Sequence, residues 1–559
     1  MSESVIVVGA GLSGLATALG AAIEGCPVTV LEAADLVGGA AAYSGGQVWV
    51  GANHVAARDG IADDLDRTEA YVRGIAHAQP ELLDESAMRV WLATAPEAIK
   101  HWEDIGAIRW TVIPGLIDYH SEVDGALGEG RYLTNEVVDG SVLGAWRARL
   151  RISPYFPVGT TYAEMMQVGR RVNTSQGSDD AAATNDPHGL GVSQTASAKP
   201  EGEGDPLTFG TGVVASFLAR VLAEPSIEIR TGHRVTQLLR DGDGRVTGVR
   251  AATPDSEQEF RGRVVLATST YDWDPELAEE MTGLTSDDFA SIAPDSLRGD
   301  GIRLVRAIGG AVARIPATSV PMLPGWRTDD GTVGYGPEFA KPHSIIVDGS
   351  GKRFCNDSYW PDLVAKALDP ADPHLPMFLV WDEQHRDHYG LGVTPPGGEY
   401  PEGLVASAGT LHELAEQLGI EPQGLERTVA EFNSDAKEGK DPAFGRGTSD
   451  YVHRFYGDQN HQPSSVLGAV DQPPFHGLRL RFVGTGIGSS GIDTDPEGRV
   501  RDESGTVIPG LYAVGSCVAL TAAGTGYNSG FALGRGLTLA YLVSKELRGE
   551  TATSASAAR

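Results

Sequence analysis

The most regular hydrophobic pattern of this 559-residue chain lies at its start. Residues 5–8 are four β-branched residues with no polar position among them, which is typical of a parallel strand buried on both faces. A second short run without charge, Val-Thr-Val-Leu, covers residues 28–31. Between the two runs, apolar residues recur with helical spacing at Leu12, Leu15, Ala16, Leu19 and Ile23. The pattern predicts strand, helix and strand, in the order of a βαβ unit with a parallel sheet.

The turn between the first strand and the helix carries the spacing G-x-G-x-x-G. Gly9 permits the tight turn, Gly11 lets a pyrophosphate approach the backbone, and Gly14 lets the helix pack close to the strand. Glu32 ends the second strand, where an acid accepts hydrogen bonds from ribose hydroxyls. The unit therefore predicts a dinucleotide site with its phosphates at the helix N-terminus. A glycine turn without a ligand is the alternative.

Two glycine pairs follow Glu32 within fourteen residues, Gly38-Gly39 and Gly45-Gly46. Glycine backbone can lie closely against a ligand. The pairs favour a second contact with an extended cofactor over a plain loop.

The rest of the chain alternates between regular and irregular stretches. Residues 61–106 have helical periodicity, and residues 173–205 are polar and small, which predicts a mobile surface insertion. The pattern predicts a helix over residues 210–223 and strands over residues 227–229, 234–239, 245–250 and 264–268. The residues of the tail, 551–559, are expected to be disordered.

Composition narrows the range of functions. Lys+Arg 44 against Asp+Glu 75 gives a net charge of −31, which disfavours binding to nucleic acid or to an anionic membrane surface. Cys26, Cys355 and Cys517 are odd in number and scattered, which indicates a reducing, cytoplasmic setting. No metal site, signal peptide or transmembrane segment is expected.

Several motifs together resemble one family. The motifs GAGLSG with Glu32, ATST, GKRFCND, GLYAVGS and GYNSGFALGRG are similar to those of the 3-ketosteroid dehydrogenase branch of the fumarate reductase/succinate dehydrogenase flavoprotein superfamily. The resemblance implies an α/β fold, in which a Rossmann-like FAD-binding domain is split in sequence by an inserted α+β catalytic domain. It places the FAD-binding domain at residues 1–290 and 474–550, and the catalytic domain at 291–473.

The resemblance also implies FAD bound without a covalent link. The expected cofactor contacts are Gly9, Gly11, Leu12, Ser13, Gly14, Glu32, Ala33, Gly38, Gly39, Ser44, Gly45, Gly46, Val235, Ala267, Thr268, Gly515, Ser516, Ala532 and Leu533. A single G-x-G-x-x-G predicts no second site for NAD(P)H. Electrons are therefore expected to go to a quinone or another acceptor.

Dicarboxylate reductases of this superfamily carry a His-x-Thr-x-Gly-Gly stretch that binds a carboxylate. The matching residues here, 484–491, contain no histidine, which disfavours a dicarboxylate substrate. Arg303, Arg306 and Arg314 are the residues that could compensate.

The ketosteroid branch uses tyrosines as catalytic residues. Its aspartate–tyrosine–histidine loop matches residues 118–122, which makes Tyr119 a candidate, and its C-terminal tyrosine and glycine match Tyr527 and Gly530. The third catalytic tyrosine of the family follows its GKRF-type motif, and Tyr359 is the matching residue here, although its position differs from the family pattern by two residues. His120 is expected to be an ordinary polar residue.

The resemblance implies a dehydrogenase that introduces a C=C bond α,β to the ketone of a cyclic or steroid-like substrate. An enolate needs preorganised donors, which Tyr527 O–H and Gly530 N–H could supply, and a tyrosine base needs a lowered pKa. Δ1 and Δ4-(5α) regiochemistry, a small cyclohexanone-type substrate and the reverse, enone- or fumarate-type reductase reaction stay open, as does the oligomeric state. A flavin-binding electron carrier is the non-enzymatic alternative.

Overall fold

The structure is a computed structural model that describes residues 3–154, 156, 159–167, 204–317, 322–327, 333–335, 337–392 and 394–557. Its strands, in chain order, are β1 Val5–Val8, β2 Val28–Leu31, β3 Val48–Trp49, β4 Trp110–Val112, β5 Tyr132–Asn135, β6 Val138–Asp139, β7 Pro206–Leu207, β8 Ile227–Arg230, β9 Arg234–Arg240, β10 Val246–Ala252, β11 Glu257–Arg261, β12 Arg263–Leu266, β13 Phe289–Ser291, β14 Val312–Ala313, β15 Leu323–Arg327, β16 Val333–Tyr335, β17 Ser344–Asp348, β18 Met377–Asp382, β19 Ala406–Ala408, β20 Phe475–Gly484, β21 Gly491–Ile492, β22 Arg499–Arg501 and β23 Val507–Ala513.

The α-helices are α1 Leu12–Ile23, α2 Gly39–Tyr43, α3 His54–Arg58, α4 Leu65–Ile75, α5 Glu85–Asp104, α6 Tyr162–Gln167, α7 Phe209–Leu222, α8 Pro275–Thr282, α9 Asp300–Arg306, α10 Trp360–Ala367, α11 Glu383–Tyr389, α12 Leu411–Leu418, α13 Pro422–Ala436, α14 Asp450–Phe455 and α15 Phe531–Ala557. Short 3₁₀ segments cover Pro80–Leu82, Gly140–Arg149, Pro337–Ala340 and Gly515–Cys517. None of the helices within the described residues is long and apolar enough to cross a bilayer.

A six-stranded sheet joins the two ends of the chain. Its strand order is β22-β23-β12-β1-β2-β8, and all neighbouring pairs except β22–β23 are parallel. All four residues of β1 are buried, as the unbroken β-branched run predicts. Because β22 and β23 come from the C-terminal part of the chain, the expected split of this α/β domain is confirmed.

Helix α1 packs against this sheet through Gly14. A Cβ on Gly14 would lie 2.0 Å from the carbonyl oxygen of Gly9, so only glycine allows this helix–strand contact. Ten of the helix residues are buried, and α15 and α7 pack beside it. The first strand–helix–strand unit is thus the βαβ unit that the hydrophobic pattern predicts.

The inserted part of the chain forms a second sheet. Its strand order is β16-β15-β20-β18-β17, with β13 and β19 also paired to β20. β20 forms six residue pairs with β18, from Met377↔Leu480 to Asp382↔Phe475. The boundary expected between residues 473 and 474 is therefore too early. Residues 475–484 complete the inserted sheet, because they pair with β15, β18 and β19 and eight of the ten residues are buried, and the chain returns to the first domain only after Gly484.

Several predicted elements can be compared directly. The helical region 61–106 contains α4 and α5, and the strands predicted near residues 227, 234, 245 and 264 are β8, β9, β10 and β12. The predicted insertion 173–205 lies, apart from its last two residues, outside the described residues. The tail expected to be disordered instead continues α15 as far as Ala557. Alanines favour propagation of a helix that is already nucleated.

Candidate active site

A cavity runs along the carboxyl ends of β1 and β2 and continues to the start of α15; we call it the cofactor cavity. At one end it is lined by Gly9, Gly11, Leu12 and Ser13, at the turn into α1. Gly9 has φ +111°, and a Cβ there would meet the Ala267 carbonyl oxygen at 2.3 Å. A Cβ on Gly11 would meet protein atoms only at 4.0 Å, which leaves open space beside the first turn of the helix.

Glu32 closes this end of the cofactor cavity. Its carboxylate accepts hydrogen bonds from the Ala10 N–H at 2.8 Å and the Ala34 N–H at 2.9 Å. Burial raises the pKa of Glu32, and the two backbone hydrogen bonds and the charges of Arg151 and Arg234 lower it in part. The carboxylate is thus held in one place at the cavity wall, as a ribose contact requires.

Most of the predicted cofactor residues line this cavity. They are Gly9, Gly11, Leu12, Ser13, Glu32, Ala33, Gly39, Ser44, Gly45, Gly46, Val235, Ala267, Thr268, Gly515, Ser516, Ala532 and Leu533. Gly14 and Gly38 are not part of the lining. Gly14 packs on Gly9, and Gly38 adopts φ +119° before α2 and donates its N–H to Ala10 at 2.9 Å. Both glycines therefore shape the turn and do not form the wall.

The shape and the donors of the cavity fit a dinucleotide. The first turn of α1 presents backbone N–H groups that no residue of its own helix can accept, beside the space at Gly11. Glu32 lies at one end, and the residues before α15 lie at the other. Gln47, His233, Thr485, Ile487 and Ser529 also line the cavity, and the sequence motifs did not indicate them as cofactor contacts.

Tyr527 and Gly530 lie at the far end of the cofactor cavity, in the turn that precedes α15. Gly530 has φ +81°, and a Cβ there would meet the backbone nitrogen of Trp49 at 2.6 Å. The Gly530 carbonyl accepts the Trp49 N–H at 3.1 Å. Only glycine fits at this position, which places its peptide at the cavity.

Trp360 brings the two predicted phenols together. Its ring centroid lies 5.9 Å from that of Tyr119 and 6.2 Å from that of Tyr527, both with edge-on geometry. All three side chains are buried. The two tyrosines are 408 positions apart in the sequence, yet both rings contact Trp360. Tyr527 lines the cofactor cavity, and Tyr119 lies behind its lining.

The phenol of Tyr119 has two hydrogen-bonding neighbours. Burial raises the pKa of Tyr119, and hydrogen bonds with Ser529 and Tyr451 lower it in part. The ring of Tyr451, in α14, is tilted by 53° against that of Tyr119, with the centroids 4.4 Å apart. Burial raises the pKa values of Tyr451, Tyr527 and Tyr359 well above the usual value for a phenol. The sequence argument expected a base with a lowered pKa; the pKa of Tyr119 is raised because burial outweighs its hydrogen bonds.

Tyr359 occupies a different position from Tyr451. Its hydroxyl lies 3.0 Å from Nδ1 of His120 and 3.3 Å from the Tyr119 carbonyl oxygen. It precedes α10 directly after the GKRFCND motif, where the buried Asp357 pairs with Arg353 at 2.9 Å and with Arg446 at 3.2 Å. The Tyr359 side chain therefore contacts the loop that carries Tyr119 rather than the phenol itself.

Buried ion pairs fix the Tyr119 loop. Asp118 accepts hydrogen bonds from Trp49 Nε1 at 2.7 Å, from Arg131 at 2.9 Å and from the Leu127 N–H at 2.9 Å. Burial raises the pKa of Asp118, and Arg131 lowers it in part. Arg131 also pairs with Asp63 at 2.8 Å. Three hydrogen bonds to Asp118 thus fix the loop directly before Tyr119.

A second, wider cleft reaches Tyr359 and Tyr527 from outside, but not Tyr119; we call it the outer cleft. It is lined by Ile75, Thr525, Trp360, Tyr359, His120 and Tyr527, among others. Tyr527 lines both spaces and so lies at their junction. A molecule in the outer cleft would have the Tyr527 phenol between itself and the cofactor cavity wall.

The three arginines considered for a carboxylate substrate are engaged elsewhere. Arg303 pairs with Asp274, and Arg306 and Arg314 both pair with Glu280. None of them lines the cofactor cavity or the outer cleft within the described residues. They do not supply the cation that the 484–491 stretch lacks.

Sequence reasoning missed Tyr451, Gln47 and the bridging roles of His120 and Asn528. Asn528 accepts the Tyr119 N–H at 2.9 Å and donates to the Tyr132 hydroxyl at 2.8 Å. Tyr451 lies in a segment without a motif, so only its fold position identifies it. Asn528 and His120 stand beside motif tyrosines, and that adjacency was the available signal.

Comparison with known proteins gives consistent matches. The family described as FAD binding domain matches residues 4–534. A 4-oxocyclohexanecarboxylate 2-dehydrogenase of Sinomonas cyclohexanicum is 32% identical, over 98% of this chain and 93% of that protein. A 3-oxosteroid 1-dehydrogenase of Mycobacterium tuberculosis is 29% identical, over 96% of this chain and 97% of that protein.

Solved structures share the fold. The 3-ketosteroid delta1-dehydrogenase from Sterolibacterium denitrificans, solved in complex with 1,4-androstadiene-3,17-dione, has a TM-score of 0.83 at 24% identity and covers 98% of this chain and 100% of its own. At this identity the likeness establishes the fold alone.

Proposed function

The chain belongs to the FAD binding domain family, and from this premise we propose that it is an FAD-dependent dehydrogenase that introduces a C=C bond next to the ketone of a cyclic substrate. FAD is its cofactor. The relatives named above act, by their names, on a cyclohexane ketone that carries a carboxylate and on 3-oxosteroids. The chemical class common to both is a cyclic ketone.

One observation carries this proposal. Tyr119 and Tyr527 both pack against Trp360, and Tyr527 lies between the cofactor cavity and the outer cleft. A ketone in this position would have phenols around it and the cofactor cavity beside it. An electron carrier has no need for a cluster of buried phenols at the end of its cofactor cavity.

The reaction removes one proton and one hydride. The C–H bond α to the ketone breaks, and its proton passes to the oxygen of Tyr119, which must first be deprotonated. Tyr451 and Ser529 would stabilise that phenolate by hydrogen bonds. The β-hydrogen must leave with its electron pair, and FAD held by the residues of the cofactor cavity would supply the hydride acceptor. The electron pair of the α C–H bond becomes the new C=C bond.

Tyr527 and Gly530 stabilise the charge that develops on the ketone oxygen. The phenol of Tyr527 and the N–H of Gly530 are both held rigidly, one by packing against Trp360 and the other by its glycine-only backbone. Preorganised donors of this type act most strongly where water is excluded. Tyr359 would contribute through its contact with His120.

The electron acceptor and the location complete the proposal. A single dinucleotide turn supports transfer of electrons to a quinone or another acceptor rather than to NAD(P)H. The three cysteines are all buried and unpaired, which supports a reducing, cytoplasmic setting.

The test is turnover with a panel of ketones. Purified holoenzyme is mixed with cyclohexanone, 4-oxocyclohexanecarboxylate and a saturated 3-ketosteroid, with a redox dye as acceptor. We expect dye reduction with at least one ring class and an enone product, whose double-bond position is read by mass spectrometry and NMR. Absence of dye reduction with every cyclic ketone would rule the proposal out.

A further inference from the structure

Two turns that carry the predicted catalytic tyrosines are joined by a pair of hydrogen bonds. The Tyr119 N–H donates to Oδ1 of Asn528 at 2.9 Å. The ring nitrogen Nε2 of His120 lies 3.1 Å from the carbonyl oxygen of Tyr527. Because a carbonyl oxygen can only accept, Nε2 of His120 carries the hydrogen.

The other ring nitrogen then has a defined role. With its hydrogen on Nε2, a neutral imidazole presents Nδ1 as an acceptor. The Tyr359 hydroxyl lies 3.0 Å from that Nδ1 and can donate to it. The same hydroxyl is 3.3 Å from the Tyr119 carbonyl oxygen. Tyr359 and Tyr527 are thus linked through one neutral histidine ring.

The surroundings of His120 favour this neutral ring. Burial lowers the pKa of His120, and the charge of Glu122 and the hydrogen bond to Tyr527 raise it in part. Oε1 of Glu122, on the same loop, lies 3.8 Å from Nδ1 of His120. His77, which follows α4, lowers the pKa of His120 by charge repulsion. The Tyr71 hydroxyl accepts the backbone N–H of His120 at 3.3 Å.

We propose that His120 is a positioning residue whose neutral ring, oriented by Tyr359, holds the Tyr527 carbonyl and so sets the Tyr527 phenol and the Gly530 N–H relative to Tyr119. The inference rests on the proposed ketone dehydrogenation, because it concerns the placement of the donors to the ketone oxygen. It also gives Tyr359 a role: it fixes the tautomer and orientation of the histidine rather than removing a proton.

Small displacements at such a site have large effects. A misplacement of about 1 Å between reacting groups can lower a rate about a hundredfold. Tyr527 is the first of the four residues that precede α15, and Gly530 is the last. The contact between the Tyr527 carbonyl and His120 therefore lies close to both proposed donors, the Tyr527 phenol and the Gly530 N–H.

Side-chain length allows the two contacts of His120 to be separated. In His120→Gln the amide nitrogen can reach the place of Nε2 and keep the bond to the Tyr527 carbonyl. In His120→Asn the side chain ends near the place of Nδ1, so it can contact Tyr359 but cannot reach Tyr527. Tyr359→Phe removes the donor that orients the ring. His388→Asn is the matched control, since His388 is exposed and lines neither the cofactor cavity nor the outer cleft.

With a ketone that the wild type oxidises, we expect His120→Gln to keep kcat within about threefold. We expect His120→Asn to lower kcat by about ten- to a hundredfold with a smaller change in KM, because the lost placement affects the transition state more than ketone binding. The kcat of Tyr359→Phe should lie between the values of these two variants. All variants should retain FAD and the wild-type melting temperature within a few degrees.

The pH profile separates positioning from a purely structural role. Protonation of His120 turns Nδ1 into a donor, which can no longer accept from Tyr359. Because the pKa of His120 is lowered, the neutral ring is present at neutral pH and is lost as the pH falls through a value below about 6.5. The wild type should therefore lose kcat more steeply than His120→Gln on the acid side.

A binding measurement keeps this inference independent of turnover. The phenolate of p-cresol resembles the enolate of a cyclic ketone, and its binding to oxidised holoenzyme is followed by the change in flavin absorbance. We expect His120→Asn to weaken p-cresol binding about tenfold and His120→Gln to leave it unchanged. Equal affinities in the wild type and His120→Asn, no p-cresol binding to the wild type, or equal losses in the Asn and Gln variants would overturn the role of His120. A wild type that binds p-cresol but oxidises no ketone would overturn only the proposed function.

Discussion

At the scale of single residues, hydrogen bonding distinguishes the buried tyrosines of the candidate site. Burial raises the pKa of every one of them, but only Tyr119 has two side-chain hydrogen bonds that lower it, with Ser529 and Tyr451. The pKa of Tyr527 has no such compensation. A tyrosine whose phenolate is stabilised by hydrogen bonds is suited to accept a proton. A tyrosine that keeps its proton is suited to donate a hydrogen bond to an enolate. The environments therefore divide the two roles.

Replacing the enolate donor should slow the reaction without removing the cofactor. Tyr527→Phe keeps the ring packed on Trp360 and deletes one preorganised donor, which is worth about 3 kcal/mol. We expect kcat to fall about a hundredfold, with FAD content unchanged by absorbance. Tyr541→Phe, which removes a hydroxyl bonded to Glu97 outside both cavities, is the control. Wild-type kcat in Tyr527→Phe would place the oxyanion site elsewhere.

The rate should rise with pH because the base must be deprotonated. The pKa of Tyr119 lies above its usual value of about 10, so its phenolate fraction increases about tenfold per pH unit between pH 7 and 9. Stopped-flow measurement of flavin reduction should show this increase without a plateau below pH 9. In Tyr451→Phe the phenolate loses one stabilising hydrogen bond, and the whole profile should move to higher pH. A flat profile in the wild type would exclude Tyr119 as the base.

At the scale of elements, the first turn shows how closely backbone and cofactor site are linked. Gly9 lies three residues before α1 and Gly530 lies directly before α15, and both have positive φ and contact another backbone segment. Helix N-termini present free N–H groups and a partial positive charge. Two helix starts therefore define the two ends of one cavity.

A substitution in the first glycine turn should abolish cofactor binding without unfolding the protein. Gly9→Ala would place a Cβ 2.3 Å from the Ala267 carbonyl oxygen, which must shift the wall of the cavity. Gly25→Ala is the matched control, since Gly25 also has positive φ, at +90°, but no atom lies within 4 Å of its Cβ position. We expect Gly9→Ala to be purified without flavin, and Gly25→Ala to keep it and lose only about 1–2 kcal/mol of stability. Equal flavin content in both variants would contradict this role of Gly9.

At the scale of the whole molecule, one sheet joins two distant parts of the chain. β1, β2, β8 and β12 come from the first 270 residues, and β22 and β23 come from beyond residue 498. The cofactor cavity is lined by residues from both parts, from Val8 to Leu533. Cofactor binding must therefore stabilise the return of the chain to its first domain.

Removal of FAD should lower the melting temperature. A ligand present at about a hundred times its Kd stabilises the folded state by about 2.7 kcal/mol. We expect apoprotein, prepared by mild removal of the flavin, to unfold at lower temperature in calorimetry and to recover when FAD is added back. Addition of NAD, a dinucleotide without the flavin ring, serves as the control. An unchanged melting temperature would mean that the two parts associate without help from the cofactor.

The sequence alone determined the first βαβ unit, because glycine spacing and buried β-branched runs are local patterns with one physical solution. The split of the FAD-binding domain and most of the expected cofactor contacts came from the resemblance of its motifs to one family. It also indicated Tyr119, Tyr527 and Gly530 through short motifs. Only the tertiary structure decided that β20 belongs to the inserted sheet, since strand pairing depends on partners about a hundred residues away. It alone brought Tyr451 against Tyr119 and placed His120 between Tyr359 and Tyr527. Such contacts depend on how separate elements pack, and no spacing within one segment encodes them.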